Sequence, residues 1–398
     1  MPHPASDPRP PAIGLLALFG TFLRFGCLAF GGPVAQIAMV RQALVDEAQW
    51  ISSARFNRLL AVMQILPGPE AHELCVHLGM LARGRIGGLL AGLGFMLPGF
   101  VLTMLCGWAY VSFVAGNVGF AGVLIGVQGA VLAMIARAVW RIGGHVLHGA
   151  ALIGLAVVGL VGTLIGVPFW LLLAGGAAHA VFTRAAFGWA AAVALALAAS
   201  GYILIGPEAT AAAPVASTAA SAGVVALFIA GLKGGLLTFG GAYTAIPYVR
   251  ADTVGRGWLS DGAFLDGVAI AGLLPAPLVI FATFVGYVVG GWAGAVAITA
   301  GMFLPAFAFS LIFFERLEAV VENPTLHRLL DGVAAAVVGI IAATFVSLAA
   351  STIARAPSLW PVVLIFAIAS VGVWRLKGWW VAPLLVLTGG LAGAVVIG

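Results

Sequence analysis

The sequence has 398 residues, of which 63% are hydrophobic and 8% are charged, with a formal net charge of +5 at pH 7. A mean hydropathy of +1.16 lies far above that of soluble globular domains and indicates an integral membrane protein. The basic residues are few and widely spread, which argues against nucleic-acid binding. Cys27, Cys75 and Cys106 show no CxxC or Cys/His spacing, so neither a disulfide, a metal site nor a cofactor is predicted.

Residues 1–12 are rich in proline and hold too little apolar surface to fold, so we expect a disordered tail. Stretches of about 20 apolar residues predict membrane-spanning helices in the rest of the chain. Those of the first part are near residues 13–33, 57–82, 86–114, 119–139, 146–165 and 167–183. A linking helix near 186–205 and a linker over 206–222 follow. The later spans are near 223–242, 262–286, 289–314, 327–351, 358–374 and 378–397.

Three motifs occur twice, at shifts of 207 to 209 residues. Phe30-Gly31-Gly32-Pro33 matches Phe239-Gly240-Gly241-Ala242, Leu66-Pro67-Gly68-Pro69 matches Leu274-Pro275-Ala276-Pro277, and Gly94-Phe95-Met96-Leu97-Pro98 matches Gly301-Met302-Phe303-Leu304-Pro305. This recurrence predicts a duplicated membrane unit. The first repeat covers residues 13–183, residues 184–222 form the linking helix and linker, and the second repeat covers 223–398.

One unpaired span between two units of six would insert the second unit upside down. With the N-terminus in the cytoplasm, twelve of the 18 basic residues lie in internal connections, while Arg41, Arg55, Arg58 and Arg355 lie outside. We therefore predict an all-α integral membrane protein of about 13 transmembrane helices. It consists of two inverted repeats plus a linking helix, with helices broken at the Gly/Pro motifs and the C-terminus outside. The breaks of both repeats are expected to face each other.

Arg24 and Lys233 occupy equivalent positions halfway along the first span of each repeat. A cation in the bilayer centre costs about 3 kcal/mol even on lenient scales, so it needs a partner or a water-filled path. The two cations could converge on one doubly charged anion. Alternatively, each pairs separately with a carbonyl or carboxylate and only holds helices together.

The Gly-Gly breaks remove side chains where backbone amides might approach an anion, and a helix that starts after such a break directs its positive end there. Close helix packing is the alternative explanation for glycine in a membrane helix. Substrate-binding candidates at the breaks are Gly31, Gly32, Pro33, Gly240 and Gly241, together with Pro67, Gly68 and Pro69 of the next motif.

Glu70, His72, Glu73 and His77 form the densest ionisable cluster within any predicted span. Their counterparts in the second repeat are apolar, for example Leu278 for Glu70. A buried carboxylate beside a histidine could exchange protons during transport, so Glu70, Glu73 and His72 are coupling candidates. Helix capping by the glutamates and packing by the histidines are the alternatives.

Three further groups receive structural interpretations. Asp266 and Asp331 stand near the ends of predicted spans and are expected on solvated faces. The run of Arg137, Arg141, His145 and His148 is interpreted as a cytoplasmic flank.

The motifs FGGPVAQI, QILPGPEAHEL and GFMLPGF in this order, with Trp50 in the first intervening loop, resemble the chromate ion transporter family in its long, two-domain form. The resemblance covers the chain from about residue 13 to its end. It implies a bacterial inner-membrane carrier that moves chromate outward and confers chromate resistance, with sulfate as a structural analogue. It also implies signature positions at Phe30, Gly31, Gly32, Pro33, Pro67, Gly68 and Pro69, with Arg24 and Glu70 beside them. Ala242, Ala276 and Gln36 depart from the family pattern.

Two other functions stay open from the sequence. A membrane-embedded enzyme acting through Glu70, Glu73 and His77 would need a pocket open to one side only. A non-transporting subunit would need a docking surface that the short loops do not offer. A secondary anion transporter is favoured because an enzyme gains nothing obvious from a matched pair of broken helices, and no GxxxxGK[ST] motif for ATP is present. Its predicted partners are chromate or sulfate and the lipid bilayer; a homodimer is neither indicated nor excluded.

Overall fold

A computed structural model describes residues 10, 12–30, 32–63, 66, 68–167, 171–176, 223–238, 242–313, 324–378 and 380–397. All regular structure in these segments is helical, which confirms the all-α membrane fold. In the first half the helices are α1 (Leu15–Leu28), α2 (Gly32–Arg41), α3 (Ser53–Met63), α4 (Glu70–Ala109), α5 (Ala121–Val146) and α6 (Ala150–Leu164). In the second half they are α7 (Val224–Leu236), α8 (Ala245–Thr253), α9 (Asp261–Leu273), α10 (Phe281–Phe313), α11 (Pro324–Arg355), α12 (Leu359–Arg375) and α13 (Val381–Val396).

Helices α4 and α10 each reverse direction at a sharp turn. The turn in α4 is at Arg83 and Gly84, where Gly84 has φ 63°, and the turn in α10 is at Gly290 and Gly291, where Gly291 has φ 60°. Only glycine adopts this left-handed conformation without strain. Each helix is therefore a hairpin of two arms, 70–82 with 85–109 and 281–289 with 292–313.

The long arm of each hairpin packs tightly on the first helix of its half. A Cβ added at Gly94 would lie 2.9 Å from the carbonyl oxygen of Phe19, and one added at the equivalent Gly301 would lie closer still to the carbonyl oxygen of Phe228. Glycine is needed here because the backbones themselves touch. The repeated sequence thus produces a repeated helix packing.

The first helix of each half is too short to complete the predicted span. Helix α1 has 14 residues, about 21 Å at 1.5 Å per residue, whereas the hydrocarbon core is about 30 Å thick. In the second half the chain turns back after the break, because Lys233 of α7 pairs with Asp252 of α8 at 3.2 Å. The predicted spans 13–33 and 223–242 are therefore not continuous helices.

The predicted spans 57–82 and 262–286 are likewise interrupted at their Leu-Pro-x-Pro motifs. Helix α3 ends at Met63 and the short arm of α4 begins at Glu70, while α9 ends at Leu273 and α10 begins at Phe281. The helix breaks predicted at these motifs are therefore present. The chain reaches the break from one face and leaves it on a separate short helix.

The side assigned to Arg55 also changes. Its guanidinium interacts electrostatically with His77, which lies less than two turns before the reversal at Arg83. Arg55 therefore lies towards the face that holds Arg83, and its predicted placement on the opposite face is wrong. The reason is that two consecutive breaks return the chain to the face from which it came.

The remaining predicted spans match helices. They correspond to the long arms of α4 and α10 and to α5, α6, α11, α12 and α13. Of the predicted span 167–183, residues 171–176 are described and helical. The linking helix 186–205 and the linker 206–222 lie outside the described residues.

Packing divides the described helices into two bundles, each built from both halves of the chain. Helices α1 to α4 pack with α7, α8 and α10 in what we call the broken-helix bundle, and α5 and α6 pack with α11 to α13 in the straight-helix bundle, while α9 packs against both. Close glycine contacts hold the second bundle together: Gly126 meets the backbone of Gly389, and Gly159 meets that of Ala336. The two sequence repeats are therefore interlocked rather than side by side.

Helix α5 fixes two faces of the molecule. The near face holds its C-terminal end at Val146, and the far face holds its N-terminal end at Ala121. Helix α12 runs parallel to α5, since Gly129 faces Ile365 and Trp140 stacks near Trp374 with ring centroids 5.5 Å apart. The end of α12 is thus at the near face. The end of α4, joined to α5 by residues 110–120, is at the far face.

Candidate functional site

The breaks of the two halves meet through reciprocal hydrogen bonds. The side-chain amide of Gln36 donates to the carbonyl oxygens of Ala29 at 2.8 Å and Ala276 at 2.9 Å. The backbone N–H of Gly68 donates to the carbonyl oxygen of Thr238 at 2.8 Å. Since the bonds to Ala276 and Thr238 each join the Gly-Gly break of one half to the Leu-Pro-x-Pro motif of the other, the predicted meeting of the breaks is confirmed.

Close packing reinforces this junction in the same crossed pattern. Gly99 lies against the methyl group of Ala276, and the equivalent Ala306 lies 3.1 Å from a Cβ added at Gly68. A larger side chain at Gly68 or Gly99 would push the two halves apart at their junction. The small residues in these motifs therefore set the distance between the halves.

A cavity of about 360 Å³ opens beside the first break, between the two bundles. The broken-helix bundle contributes the start of α2 and Tyr243, and the straight-helix bundle contributes α5, the α12–α13 turn and α13. Its lining residues are Gly32, Pro33, Val34, Ala35, Ala38, Met134, Arg137, Ala138, Arg141, Tyr243, Val373, Leu376, Lys377, Gly378, Val381 and Ala382. Because α5 and α12 end beside it, the cavity belongs to the near face.

The described lining of this cavity carries three positive charges and no carboxylate. Arg137 and Arg141 project from one face of α5, one turn apart, and Lys377 follows the end of α12. Both arginines also interact electrostatically with Tyr243. The predicted role of Arg137 and Arg141 as a plain flank needs correction, since both side chains line a cavity.

The first break adds backbone donors to the positive cavity. Helix α2 begins at Gly32, whose φ is 81°, and a Cβ at this position would meet nothing within 4 Å. The N–H groups of the first turn have no acceptor within their own helix, and the helix dipole makes this end positive. Val34 and Ala35 place this first turn in the cavity wall.

A smaller cavity of about 60 Å³ continues inward from the first and shares Gly32, Pro33, Met134, Tyr243 and Ala382 with it. Its other described walls are apolar residues of α5, of α9 and of the second Leu-Pro-x-Pro motif: Val131, Val268, Ala271, Gly272, Leu274, Ala276 and Leu278. The first Gly-Gly break, Tyr243 just after the second one and one Leu-Pro-x-Pro motif therefore border the same path.

The ionisable cluster that begins at Glu70 lies behind the cavity. Glu70 is 9% exposed and interacts electrostatically with Arg141. The ring of His72 is fully buried and packs edge-on against Phe303 and Phe307, with centroids 5.0 and 4.7 Å away. The geometry of His72 is that of a packed aromatic side chain.

Glu73 is the least solvated carboxylate of this arm. Its side chain is 0% exposed, and neither oxygen has a hydrogen-bond partner among the described residues. It folds back towards the break, where a Cβ at Gly68 would come within 2.6 Å of its Oε1. Neither oxygen therefore makes a capping hydrogen bond to a described residue. Glu73 does lie in the first turn of α4, where the helix dipole favours a carboxylate, so this alternative to a coupling role is retained.

Arg24 and Lys233 do not line either cavity. Arg24 is exposed on α1. The Lys233 side chain is 40% exposed and pairs with Asp252, which also accepts a hydrogen bond from Arg256. For Lys233 the separate ion pair that the sequence left open is the arrangement found.

Comparison with known proteins shows the family. The family described as "Chromate transporter" matches residues 16–227 and again residues 225–394. A chromate transport protein of Pseudomonas aeruginosa is 55% identical over 97% of this chain and 94% of its own length. The chain belongs to the chromate transporter family. A probable chromate transport protein of Synechococcus elongatus is 31% identical over 97% of this chain and 96% of its own. A chromate transport protein of Cupriavidus metallidurans is 32% identical over 87% and 86%. No solved structure matches.

For this member of the chromate transporter family, the positions implied by the resemblance fall in two places. Gly32 and Pro33 line the cavity, whereas Gly68 and Pro69 are buried behind it. Gly31, Pro67, Gly240 and Gly241 lie outside the described residues. Tyr243, which follows the second glycine pair in the sequence, lines the cavity.

Sequence reasoning missed Lys377 and Tyr243 as residues of the site. The i, i+4 spacing of Arg137 and Arg141 near the end of an apolar helix was a usable signal for those two, because it places both guanidinium groups on one face. No local pattern brings Lys377 to them, since it is more than 230 residues away in the sequence. The interlocking of the halves creates this proximity.

Proposed function

We propose that this chain is a secondary transporter of a tetrahedral oxyanion, chromate and also sulfate, that moves chromate out of the cell and thereby confers resistance. Membership of the chromate transporter family supports chromate as the substrate. The observation that carries the proposal is the cavity at the breaks, with Arg137, Arg141 and Lys377 in its wall. Cations and free amides in a partly desolvated site suit a dianion.

The proposed mechanism is alternating access. The broken-helix bundle would move against the straight-helix bundle, so that the anion at the breaks faces the near side in one state and the far side in the other. The structure has its wide cavity on the near face, so this state would be open to that side. We assign the near face to the cytoplasm, with the N-terminus inside, the C-terminus outside and the two repeats inverted in the inner membrane. The positive-inside bias supports this orientation.

Glu70 and Glu73 are the proposed coupling residues. Arg141 interacts with Glu70, so an anion that binds Arg141 would compete for the same charge. If Glu70 takes up a proton when the anion binds Arg141, movement of the anion would be coupled to movement of a proton. Glu73 has a buried carboxylate with no described partner, which is typical of a group with a transport role rather than a packing role.

Flux measurements on the purified protein in vesicles test this function. Vesicles loaded with labelled chromate or sulfate are expected to release each anion, and each anion is expected to inhibit release of the other, because the two dianions share shape and charge. Arg137→Gln and Arg141→Gln are expected to lower flux more than tenfold, because each removes a cavity cation. Arg375→Gln is the matched control, because Arg375 is exposed near the same face and does not line the cavity.

The same assay decides between the two sets of cations. If Arg24→Gln and Lys233→Gln abolish flux while Arg137→Gln and Arg141→Gln leave it unchanged, the anion is bound by the pair suggested by the repeat and not by the cavity. If folded, inserted protein moves neither anion, the transport proposal itself is wrong.

A further inference from the structure

Three buried polar side chains and the exposed Arg355 form a cluster near the far face, which we call the Asp266 cluster. Asp266 is 2% exposed. Its Oδ2 accepts a hydrogen bond from the Tyr110 hydroxyl at 2.9 Å, and its Oδ1 accepts one from the Gln128 amide at 2.7 Å. Arg355 donates to the Oε1 of Gln128 at 2.6 Å. The solvated position expected for Asp266 from the sequence is therefore wrong, because α9 is a short helix packed inside the protein.

The cluster joins the two bundles. Tyr110 follows α4 of the broken-helix bundle, and Gln128 and Arg355 belong to the straight-helix bundle, while Asp266 lies on α9, which packs against both. The bonds that Tyr110 and Gln128 donate to Asp266 therefore link the bundles across the interface along which they would move. Arg355 also contacts α9, since its guanidinium lies over Gly262 so closely that a Cβ there would overlap it.

The cluster lies at the end of the path that starts in the wide cavity. Helices α5 and α9 run side by side, with Gln128 near Gly262 and Met134 near Gly272. Gln128 precedes Arg137 by nine residues, about 13 Å along α5. The small apolar cavity lies between them, so the cluster is what closes the far end in this state.

The electrostatics of the cluster make it sensitive to a proton. Both bonds to Asp266 come from neutral donors, and they are strong because the acceptor is charged. Of the other helices against α9, α10 and α13 carry no charged residue, so the charged and titratable side chains that face Asp266 in the described structure are Arg355 and Tyr110. Asp261, on the same helix, pairs with Arg250.

We propose that Asp266 is a proton-binding site that controls the far-side gate of the transporter. A proton from the far side binds an Asp266 oxygen, removes the charge and turns one acceptor into a donor. The Tyr110 hydroxyl can turn to accept this hydrogen, whereas the bond from Gln128 loses the charge of its acceptor and weakens. The gate then opens, and the proton leaves before it closes. This proposal rests on the alternating-access function proposed above.

Distances between spin labels on the two bundles test the gate without any transport assay. We would label Ala293→Cys of α10 and Ser358→Cys before α12, both exposed near the far face, in a chain with Cys27→Ser and Cys106→Ser. In lipid nanodiscs, the population with the longer distance is expected to increase several-fold from pH 8 to pH 5. With Asp266→Asn, that population is expected to be high at both pH values.

Tyr110→Phe is the matched control, because it removes a bond to the same carboxylate and leaves both the carboxylate and its bond from Gln128 intact. Its distances are expected to keep the pH dependence. The proposal is overturned if the distances ignore pH in the parent chain, or if Asp266→Asn retains the pH dependence. It is also overturned if Tyr110→Phe behaves like Asp266→Asn.

Should Asp266→Asn not insert, Gln128→Leu tests the same bond and is expected to raise the long-distance population at pH 8. Absence of flux with the expected distance changes would contradict the transport function and leave the gate in place.

Discussion

The two halves of the chain reverse direction at equivalent residues with nearly the same backbone, yet they carry different chemistry on it. Arg83 and Gly84 have φ values of −143° and 63°, and Gly290 and Gly291 have −137° and 60°. After the Leu-Pro-x-Pro motif, however, the first half has Glu70 and Glu73 where the second has Leu278 and Phe281. The comparison teaches that glycine and proline preserve the architecture, while the polar functions have been placed in one copy only.

The largest expected effect concerns what the halves share. Gly26→Val and Gly235→Val should both abolish folded protein, because a side chain at either position would meet the backbone of the long arm, near Phe95 and Met302. A backbone cannot move aside as a flexible side chain can. The monodisperse yield in detergent measures this. Gly20→Val on α1 is the control, since nothing lies within 4 Å of that site; an equal loss for Gly20→Val would contradict the explanation.

The next effect concerns what the halves do not share. Glu73→Gln removes a carboxylate that the second half lacks at the equivalent Phe281. The variant should lower anion flux more than tenfold, while the midpoint of thermal unfolding stays the same or rises. The carboxylate is buried without a described partner, so its removal relieves a desolvation cost. Flux and melting are measured on the same preparation. A large fall in the midpoint would mean that Glu73 is structural, and unchanged flux would exclude it from coupling.

A smaller effect is expected where the halves are joined. Gln36→Leu removes two hydrogen bonds to buried carbonyl oxygens, those of Ala29 and Ala276. The loss should cost about 1–3 kcal/mol of stability. The equivalent residue in the second half is Ala245, so only the first half depends on a side chain at this position. Chemical denaturation in mixed micelles measures the cost; wild-type stability for Gln36→Leu would show that these bonds contribute nothing.

The smallest effect tests one contact that the halves make in two versions. Arg250 pairs with Asp261 at 2.7 Å, and the equivalent Arg41 donates to Ser53 at 2.9 Å. Asp261→Ser should destabilise the protein by about 0.5–1 kcal/mol, a midpoint shift of about 1–2 °C. Ser53→Asp should stabilise it by no more than that. Opposite signs for the two variants support the comparison, and equal signs contradict it.

Much of the fold could be predicted because its signals are local. Long apolar stretches predicted helices α5, α6, α11, α12 and α13, and the duplicated motifs predicted where helices break. The length of α1 could not be predicted in this way, since an apolar sequence runs on across the break and hydropathy does not register a change of direction. For the same reason, Arg55 was placed on the wrong side.

The site was predicted less completely than the fold. The sequence indicated the breaks at Gly32 and Pro33, which line the cavity, but it chose Arg24 and Lys233 as the cations, which do not. The repeat identified this second pair because both members recur. Arg137, Arg141 and Lys377 do not recur in the other half, so symmetry could not point to them.

The sequence by itself determined that the chain is a helical membrane protein, that it is built from two related halves, and that each half breaks its helices at fixed glycines and prolines. These properties follow from hydropathy and backbone conformation, which each residue carries with it. Only the tertiary structure decided that the halves interlock into two mixed bundles, that Lys377 joins Arg137 and Arg141 around one cavity, and that Asp266 is enclosed between Tyr110 and Gln128. Those arrangements depend on contacts between residues far apart in the chain, which close packing of small residues brings together.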